Sequence, residues 1–353
     1  MMKALALIEA MSNANGISGF ENDAVQTALK FVNDSIDVTV DKMNNCYLVP
    51  KEKDEKSPTV LIDGHLDELG LLVQSITDSG LLRVINIGGW DIKNLLSQKM
   101  RLVTDDGVVI KGIVASKPVH FLSDSERNKP VAIEDLLVDV GVSSKEEVVG
   151  LGIRIGLALV PDVAFEYQQM TQTMIGKAFD NRLGCSLVVE TLNECTAKGH
   201  RHIIGSLSVQ EEVGGRGAEV VGNVVNADLC IVFEGSPADD TFTSRGEAQG
   251  AIGKGVQIRI ADRTMISHPG LTRLAVRLAK EKGIPYQETV RRGGGTNGAT
   301  YHIKGKGIPC IVLGVPVRYV HAHYGIAKYH DYEAARELAI AVIEYVKANG
   351  LDF

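Results

Sequence analysis

Short, wholly apolar runs that end abruptly at charged residues set the rhythm of this chain. Thr59-Val60-Leu61-Ile62-Asp63-Gly64, Ile203–Val209, Leu229–Phe233 and Ile308–Leu313 show little alternation. That is the pattern of strands covered on both faces in a parallel sheet. Helical periodicity fills the intervals. It runs in two pieces within residues 1–33, broken at Asn15-Gly16-Ile17-Ser18-Gly19, then over Leu183–Lys198, Arg216–Val224, Ser267–Lys282 and Asp331–Ala348, where Asn349-Gly350 stops it. Ser18 or Asn22 is placed to cap the second piece. Val38–Pro50 alternates as a strand pair around Asn44-Asn45. The outcome is an α/β class.

The texture changes in the middle of the chain. Leu71–Ile76, Leu81–Ile87, Met100–Val103, Val108–Val114, Leu136–Val140 and Arg154–Leu159 are short β-rich runs separated by Gly, Asp-Gly and Ser turns. One short helical piece, Ser143–Val149, interrupts them. This predicts a small all-β barrel or sandwich inserted into the α/β part. Residues 1–70 and 168–353 then form one discontinuous domain, and 71–167 the insertion. The insertion holds one histidine, His120, which reads as a surface or packing residue. No second candidate site accompanies it, so the insertion is expected to be non-catalytic.

Composition narrows the classes. The 353 residues are 44% hydrophobic and 23% charged, a globular profile with room for about two domains. A net charge of −7, with no basic run beyond Arg291-Arg292, argues against nucleic acid or an anionic membrane as the main partner. No apolar stretch reaches the roughly 18–20 residues of a spanning helix. Glu9 interrupts the apolar N-terminus, against a signal peptide. Five cysteines, odd in number and without C-x-x-C, fit reduced thiols in a cytoplasm.

The candidate chemistry sits where the apolar runs stop. Ile203–Val209 ends in Gln210-Glu211-Glu212-Val213-Gly214-Gly215-Arg216-Gly217. For adjacent carboxylates to serve one site, the strand must end and the backbone must turn, which glycines permit. One could then bind a metal while the other moves protons. His65 and Asp67 follow the run at 59–64 and share a face if extended, with Asp67 placed to orient a metal-bound imidazole. Asp180 opens a helix, where a carboxylate is favoured and an ordinary N-cap would look the same. Glu234 ends the run at 229–233, and His321 and His323 follow the last one. Gly199-His200-Arg201-His202 has no acidic partner and reads as solvated. Arg291-Arg292-Gly293-Gly294-Gly295-Thr296-Asn297-Gly298 lacks the lysine of a phosphate loop. Gly294, Gly295 and Thr296 are instead expected to present backbone to a substrate. Ligands of open α/β sheets bind at such strand ends. Two His with three or four carboxylates suit two divalent ions, zinc first and cobalt or manganese next. Paired ions of this kind activate water and polarise a scissile carbonyl.

Taken together, these segments resemble the tetrahedral, self-compartmentalising dinuclear aminopeptidases of peptidase clan MH. That family includes glutamyl and deblocking aminopeptidases and proteins once labelled endoglucanases. The likeness runs nearly end to end through Gly64-His65-Leu66-Asp67-Glu68-Leu69-Gly70, Gly88-Gly89-Trp90-Asp91, Phe179-Asp180-Asn181-Arg182, Val209–Gly217, Gly293–Asn297 and Arg318-Tyr319-Val320-His321. The resemblance implies a metallopeptidase-type three-layer α/β/α domain with a mixed sheet. It implies His65 and Glu234 as terminal metal ligands, Asp180 as the bridge, and Glu212 with His321 around the second metal. His323 is the alternative to His321. Glu211 would be the general base and Asp67 a carboxylate supporting His65. The β insertion would be a dimerisation domain, and dimers of such proteins often build a hollow tetrahedral dodecamer. The expected substrates are short peptides with a free N-terminus.

The chain departs from the family pattern at Asn181 and Asn297, where Asp is common, and at Glu234, where many relatives have Asp. The segment after His321 also lacks the usual acidic residue. These changes bear first on substrate preference. Rival readings are a deacylase or other amidohydrolase on the same metal pair, and an assembly scaffold without catalysis. A glycosidase using Glu211 would want aromatic platforms, and aromatics are 5% with a single Trp.

Overall fold

The computed structural model describes residues 1–124, 131–244 and 246–353. Its scaffold is a mixed sheet. Strands β1 (Ile36–Val40), β2 (Cys46–Pro50) and β3 (Val60–His65) precede the insertion. The strands β10 (Glu166–Gln168), β11 (Thr173–Gly176), β12 (Ile203–Ser208), β13 (Leu229–Pro237), β14 (Val256–Ala261), β15 (Tyr286–Val290), β16 (Cys310–Arg318) and β17 (Gly325–Lys328) follow it. Among the described residues the order is β1-β2-β12-β3-β13-β16-β17-β11-β10, with β14 joined to β16 and β15. The central strands β12, β3, β13 and β16 are mutually parallel, and β2, β14 and β17 flank them antiparallel. The four apolar runs of the sequence are these four central strands.

Alternation divides their side chains between two layers. Val60, Ile62, Ile231, Phe233, Ile311 and Leu313 pack under the helices Met2–Asn13, Phe179–Ala197, Pro269–Lys282 and Tyr329–Asn349. Leu61, Cys230, Val232 and Val312 face the short helices Arg216–Val224 and Gly298–Tyr301. The result is a three-layer α/β/α sandwich. Continuing the same alternation past Leu61 puts Asp63 and His65 on the short-helix face.

The insertion is a closed antiparallel barrel with strands β4 (Gly70–Ile76), β5 (Leu81–Ile87), β6 (Lys99–Val103), β7 (Val109–Val114), β8 (Leu137–Asp139) and β9 (Ala158–Pro161), ordered β4-β5-β8-β7-β6-β9. Its own core includes Leu71, Val84, Met100, Leu102, Val138 and Leu159. The last strand starts later than its apolar pattern suggests, because Gly156 turns the chain at φ +83° after Arg154 and Ile155. The helical piece is Lys145–Gly150, capped by Ser144 Oγ accepting from Glu147 N.

Four short or polar strands are poorly marked in the sequence. β14 carries Gln257 and Arg259 inward, where they donate to Pro237 O and Ser236 Oγ respectively. Strands β10, β11 and β17 have only three or four residues each. The cap expected from Ser18 or Asn22 is absent: the helix Asn22–Leu29 starts behind Glu21 without a side-chain cap. Ser18 instead donates to Asp67 Oδ2 at 2.6 Å. His202, expected in solvent, is buried with Nε2 3.3 Å from Ile343 O on the C-terminal helix. Among the described residues no helix is long and apolar enough to cross a membrane.

Candidate metal centre

Two close backbone approaches assemble the site. Gly64 lies against Gly184 and Cys185 of the helix Phe179–Ala197, where an added Cβ would stand 2.7 Å from Gly184 C. At Gly235, directly after Glu234, a Cβ would stand 2.3 Å from Phe179 O and 2.8 Å from Asp180 Cα. A side chain at either position would push the helix entry, and Asp180 with it, off the sheet. Asn181 fastens the same junction: its Oδ1 accepts from Gly184 N and Gly235 N, and its Nδ2 donates to Phe233 O at 2.8 Å. An aspartate here could not make that last bond. The Asp180–Asn181 peptide is cis.

Asp180 stands between two imidazoles. Its Oδ1 is 3.0 Å from His65 Nε2, and its Oδ2 is 3.5 Å from His321 Nε2. Glu234 Oε1 lies 3.4 Å from His65 Nε2, and Glu211 Oε2 lies 3.8 Å from the same atom. On the other side Glu212 Oε1 is 3.5 Å from His321 Nε2. The far nitrogen of each ring is held by a backbone carbonyl: Asp67 O is 3.1 Å from His65 Nδ1, and Gly89 O is 2.9 Å from His321 Nδ1. Each contact favours a proton on Nδ1 and leaves Nε2 facing the carboxylates. Gly89 belongs to the loop after β5, so the barrel reaches into the site.

His323 turns elsewhere. It is buried with Nε2 3.2 Å from Met100 Sδ and its ring 5.5 Å from that of Trp90, at the seam between barrel and sheet. His321 has φ +63°, so the alternation that would align the two histidines is broken between them. Ala178, Gln210 and Tyr319 are likewise non-glycine residues at positive φ, each within two positions of a site residue. Such backbone clusters where side chains must be aimed.

Asp67 fixes the two-glutamate turn. Glu211 N donates to its Oδ1 at 2.9 Å and Glu212 N to its Oδ2 at 3.0 Å. Behind it Glu68 takes both Lys177, at 2.6 Å, and Arg182, at 3.3 Å, in a buried ion network. Arg182 also donates to the carbonyls of Leu66 and Met11, which ties the N-terminal helix to the site.

The electrostatics are those of a cation site. Burial and neighbouring carboxylates push Glu212 up to about 8 and Glu234 up to about 7. Glu211 is raised well above the usual carboxylate range, by burial first. Burial opposes charge on the imidazoles too, yet Asp180 and its fellow carboxylates lift His321 to about 10 and His65 well above its ordinary value. The same imidazoles hold Asp180 below the carboxylate range against its burial. Glu212 Oε1 and both oxygens of Glu234 are buried without a hydrogen-bond partner. Unpaired buried carboxylate oxygens are costly, and a divalent cation would satisfy them. Ligand atoms of His65, Asp180 and Glu212 lie within 4.8 Å of one another. The donor set fits divalent ions of the zinc, cobalt and manganese type.

The site opens into a cleft of about 1080 Å³. Gly294, Gly295 and Thr296 line it, as do Phe242, Arg259 and Arg291. Arg259 is buried, bonded to Asp262 and Ser236, and keeps its Nε free; Arg291 Nε is also without a partner. Burial and the charge of Arg259 lower Arg291 to about 10. These two arginines have no signal of their own in the sequence, since β14 is polar and Arg291 looks like a loop charge.

Residues 44–338 match the family described as M42 glutamyl aminopeptidase. The glutamyl aminopeptidase of Lactococcus lactis is 30% identical over 97% of this chain and 96% of its own length. A TET aminopeptidase structure from a marine-sediment Thaumarchaeota archaeon superposes with a TM-score of 0.92 at 34% identity, covering 99% of this chain and 98% of that one. The Pyrococcus horikoshii TET1 peptidase, described as able to assemble into a tetrahedron or a large octahedral shell, matches with a TM-score of 0.84 at 26% identity, over 96% and 99% of the two chains.

Proposed function

The chain belongs to the M42 glutamyl aminopeptidase family, and on that footing we propose that it is a metal-dependent aminopeptidase removing N-terminal residues from short peptides. The observation that carries the reading is Asp180, whose two oxygens face two different imidazoles. A carboxylate so placed is suited to bridge a pair of ions. His65 and Glu234 would hold one ion and His321 and Glu212 the other, with Asp180 serving both. Bound there, zinc, cobalt or manganese would supply Lewis-acid activation of water and of the scissile carbonyl.

The remaining steps belong to the chain's own groups. Glu211 takes a proton from the attacking water and returns it to the leaving amine. Asp67 keeps Glu211 and Glu212 on the turn that aims both inward. The glycine-rich loop offers backbone to the peptide. Arg259 and Arg291 line the cleft, which supports an acidic first residue as the preferred substrate.

The barrel, residues 71–167, is proposed as an inserted dimerisation domain; a tetrahedral dodecamer is proposed as the assembly, by analogy with the TET1 relative, described as a dodecamer and as able to form a tetrahedron. The five buried free cysteines suit a reducing cytoplasm. The same metal pair could serve a deacylase, so the test compares free-amine aminoacyl-anilides with their N-acetyl counterparts, before and after chelation. Cleavage of free-amine substrates, lost to chelator and restored by zinc or cobalt, is expected. Cleavage of N-acetyl substrates alone would replace this reading with the deacylase.

A further inference from the structure

Asp63 is fully buried on β3, on the site face, and has no part in the chemistry above. Its side chain gathers donors from two separate elements. Ser206 Oγ and Ser208 Oγ on β12 both donate to it, the second at 3.2 Å, and Asn297 Nδ2 donates to its Oδ2 at 2.9 Å. Asn297 Nδ2 also reaches Ser208 Oγ at 2.8 Å, and Asn297 is itself buried. Asn297 directly follows the cleft-lining loop Gly293–Thr296, and its Oδ1, without a partner, lies towards Gly215, three residues beyond Glu212. His65 lies two residues after Asp63, and Glu211 three after Ser208. One buried carboxylate therefore ties the substrate-facing loop to both strand ends that carry the site.

We propose that Asp63 is a positioning residue for substrate, acting through Asn297 to hold the loop 293–296 in register with the ends of β3 and β12. Its partner at 297 must be a donor, as an amide is: the groups bonded to Asp63 donate to it, and an aspartate at 297 would oppose it with a second carboxylate. The pair is thus reciprocal: an amide at 63 facing a carboxylate at 297 remakes the same bond. This inference rests on the aminopeptidase reading only for its kinetic readout.

The test is a set of three full-length variants, Asp63→Asn, Asn297→Asp and the double exchange, with wild type beside them. Hydrogen exchange reads the backbone amides of the loop 293–296, metal content is measured, and KM and kcat are taken on the best aminoacyl-anilide. Asn297→Asp is expected to speed loop exchange and raise KM roughly tenfold or more, with metal content unchanged. The double exchange is expected to restore both. If Asn297→Asp fails to fold, Asn297→Ala removes the donor without adding charge, and the same shifts are expected. A loss of thermal stability with loop exchange and KM unmoved, or a double variant no better than Asn297→Asp, would overturn the proposal. A wild type that cleaves no anilide would sink the aminopeptidase reading, and loop exchange would still decide this one.

Discussion

His65 Nε2 lies 3.0 Å from Asp180 Oδ1, although 115 positions separate the two residues in the chain. The contact depends on Gly64 and Gly235, which let the start of the helix Phe179–Ala197 settle onto the sheet. It sets the position of Asp180, and the other oxygen of Asp180 then meets His321.

Replacing Glu211 by Gln keeps a side chain of the same size on the same turn but removes its ability to take a proton. Activity should fall by about 10²–10⁴-fold in kcat. Metal content should match wild type, checked by elemental analysis of the purified variant. A variant with near wild-type turnover would assign the base elsewhere.

His321 and His323 separate cleanly. His321→Ala should lower metal content and abolish turnover. His323→Ala should keep metal and instead destabilise the seam at Met100 and Trp90, by about 1–3 kcal/mol. Denaturant unfolding alongside metal analysis reads both. Loss of metal in the His323 variant alone would reverse the assignment.

Metal uptake should release protons. In the metal-free site Glu212 and Glu234 sit near 8 and 7, so below those values they hold protons that a cation must displace. Affinity should therefore rise with pH between 6 and 8.5, and calorimetry in buffers of different ionisation enthalpy should count the released protons. The stability of the metal-free protein follows from the same shifts. A glutamate raised above its unfolded value contributes stability at low pH that is lost as pH rises through the folded pKa. His321, raised to about 10, contributes stability present below about 6.5 and lost as pH climbs toward 10. Both trends run the same way, so the metal-free Tm should fall from pH 6 to pH 8.5. Added zinc should flatten the profile, and an apo Tm that rose over this range would contradict the assignment.

Arg291→Met should reduce kcat/KM for glutamyl-anilide roughly tenfold to a hundredfold relative to leucyl-anilide. Arg291 is the better target because Arg259 also satisfies Asp262 and Ser236. An unchanged substrate ratio would remove Arg291 from the specificity pocket.

The sequence marks the four central strands because each is apolar throughout and stops at Asp63-Gly64-His65, Gln210-Glu211, Glu234 or the segment before His321. It marks the barrel through turn spacing. It leaves Asp180 between capping and bridging, since that depends on how Gly235 meets Phe179 across 56 positions of chain. It cannot choose between His321 and His323, because the positive φ at His321 has no glycine to announce it. Gly89 stands within a recognised segment, but its role is not legible because its contribution is a backbone carbonyl, which every residue has. His202 is misread because its burial comes from the last helix, far along the chain.

The central claim is a paired-ion site bridged by Asp180, and the direct measurement is metal stoichiometry by elemental analysis of wild type and Asp180→Ala after equilibration with zinc. The account predicts about two ions per wild-type chain and loss of both in the variant, because one carboxylate serves both positions. A wild type that binds no more than one ion, or an Asp180→Ala variant that keeps two, would contradict it.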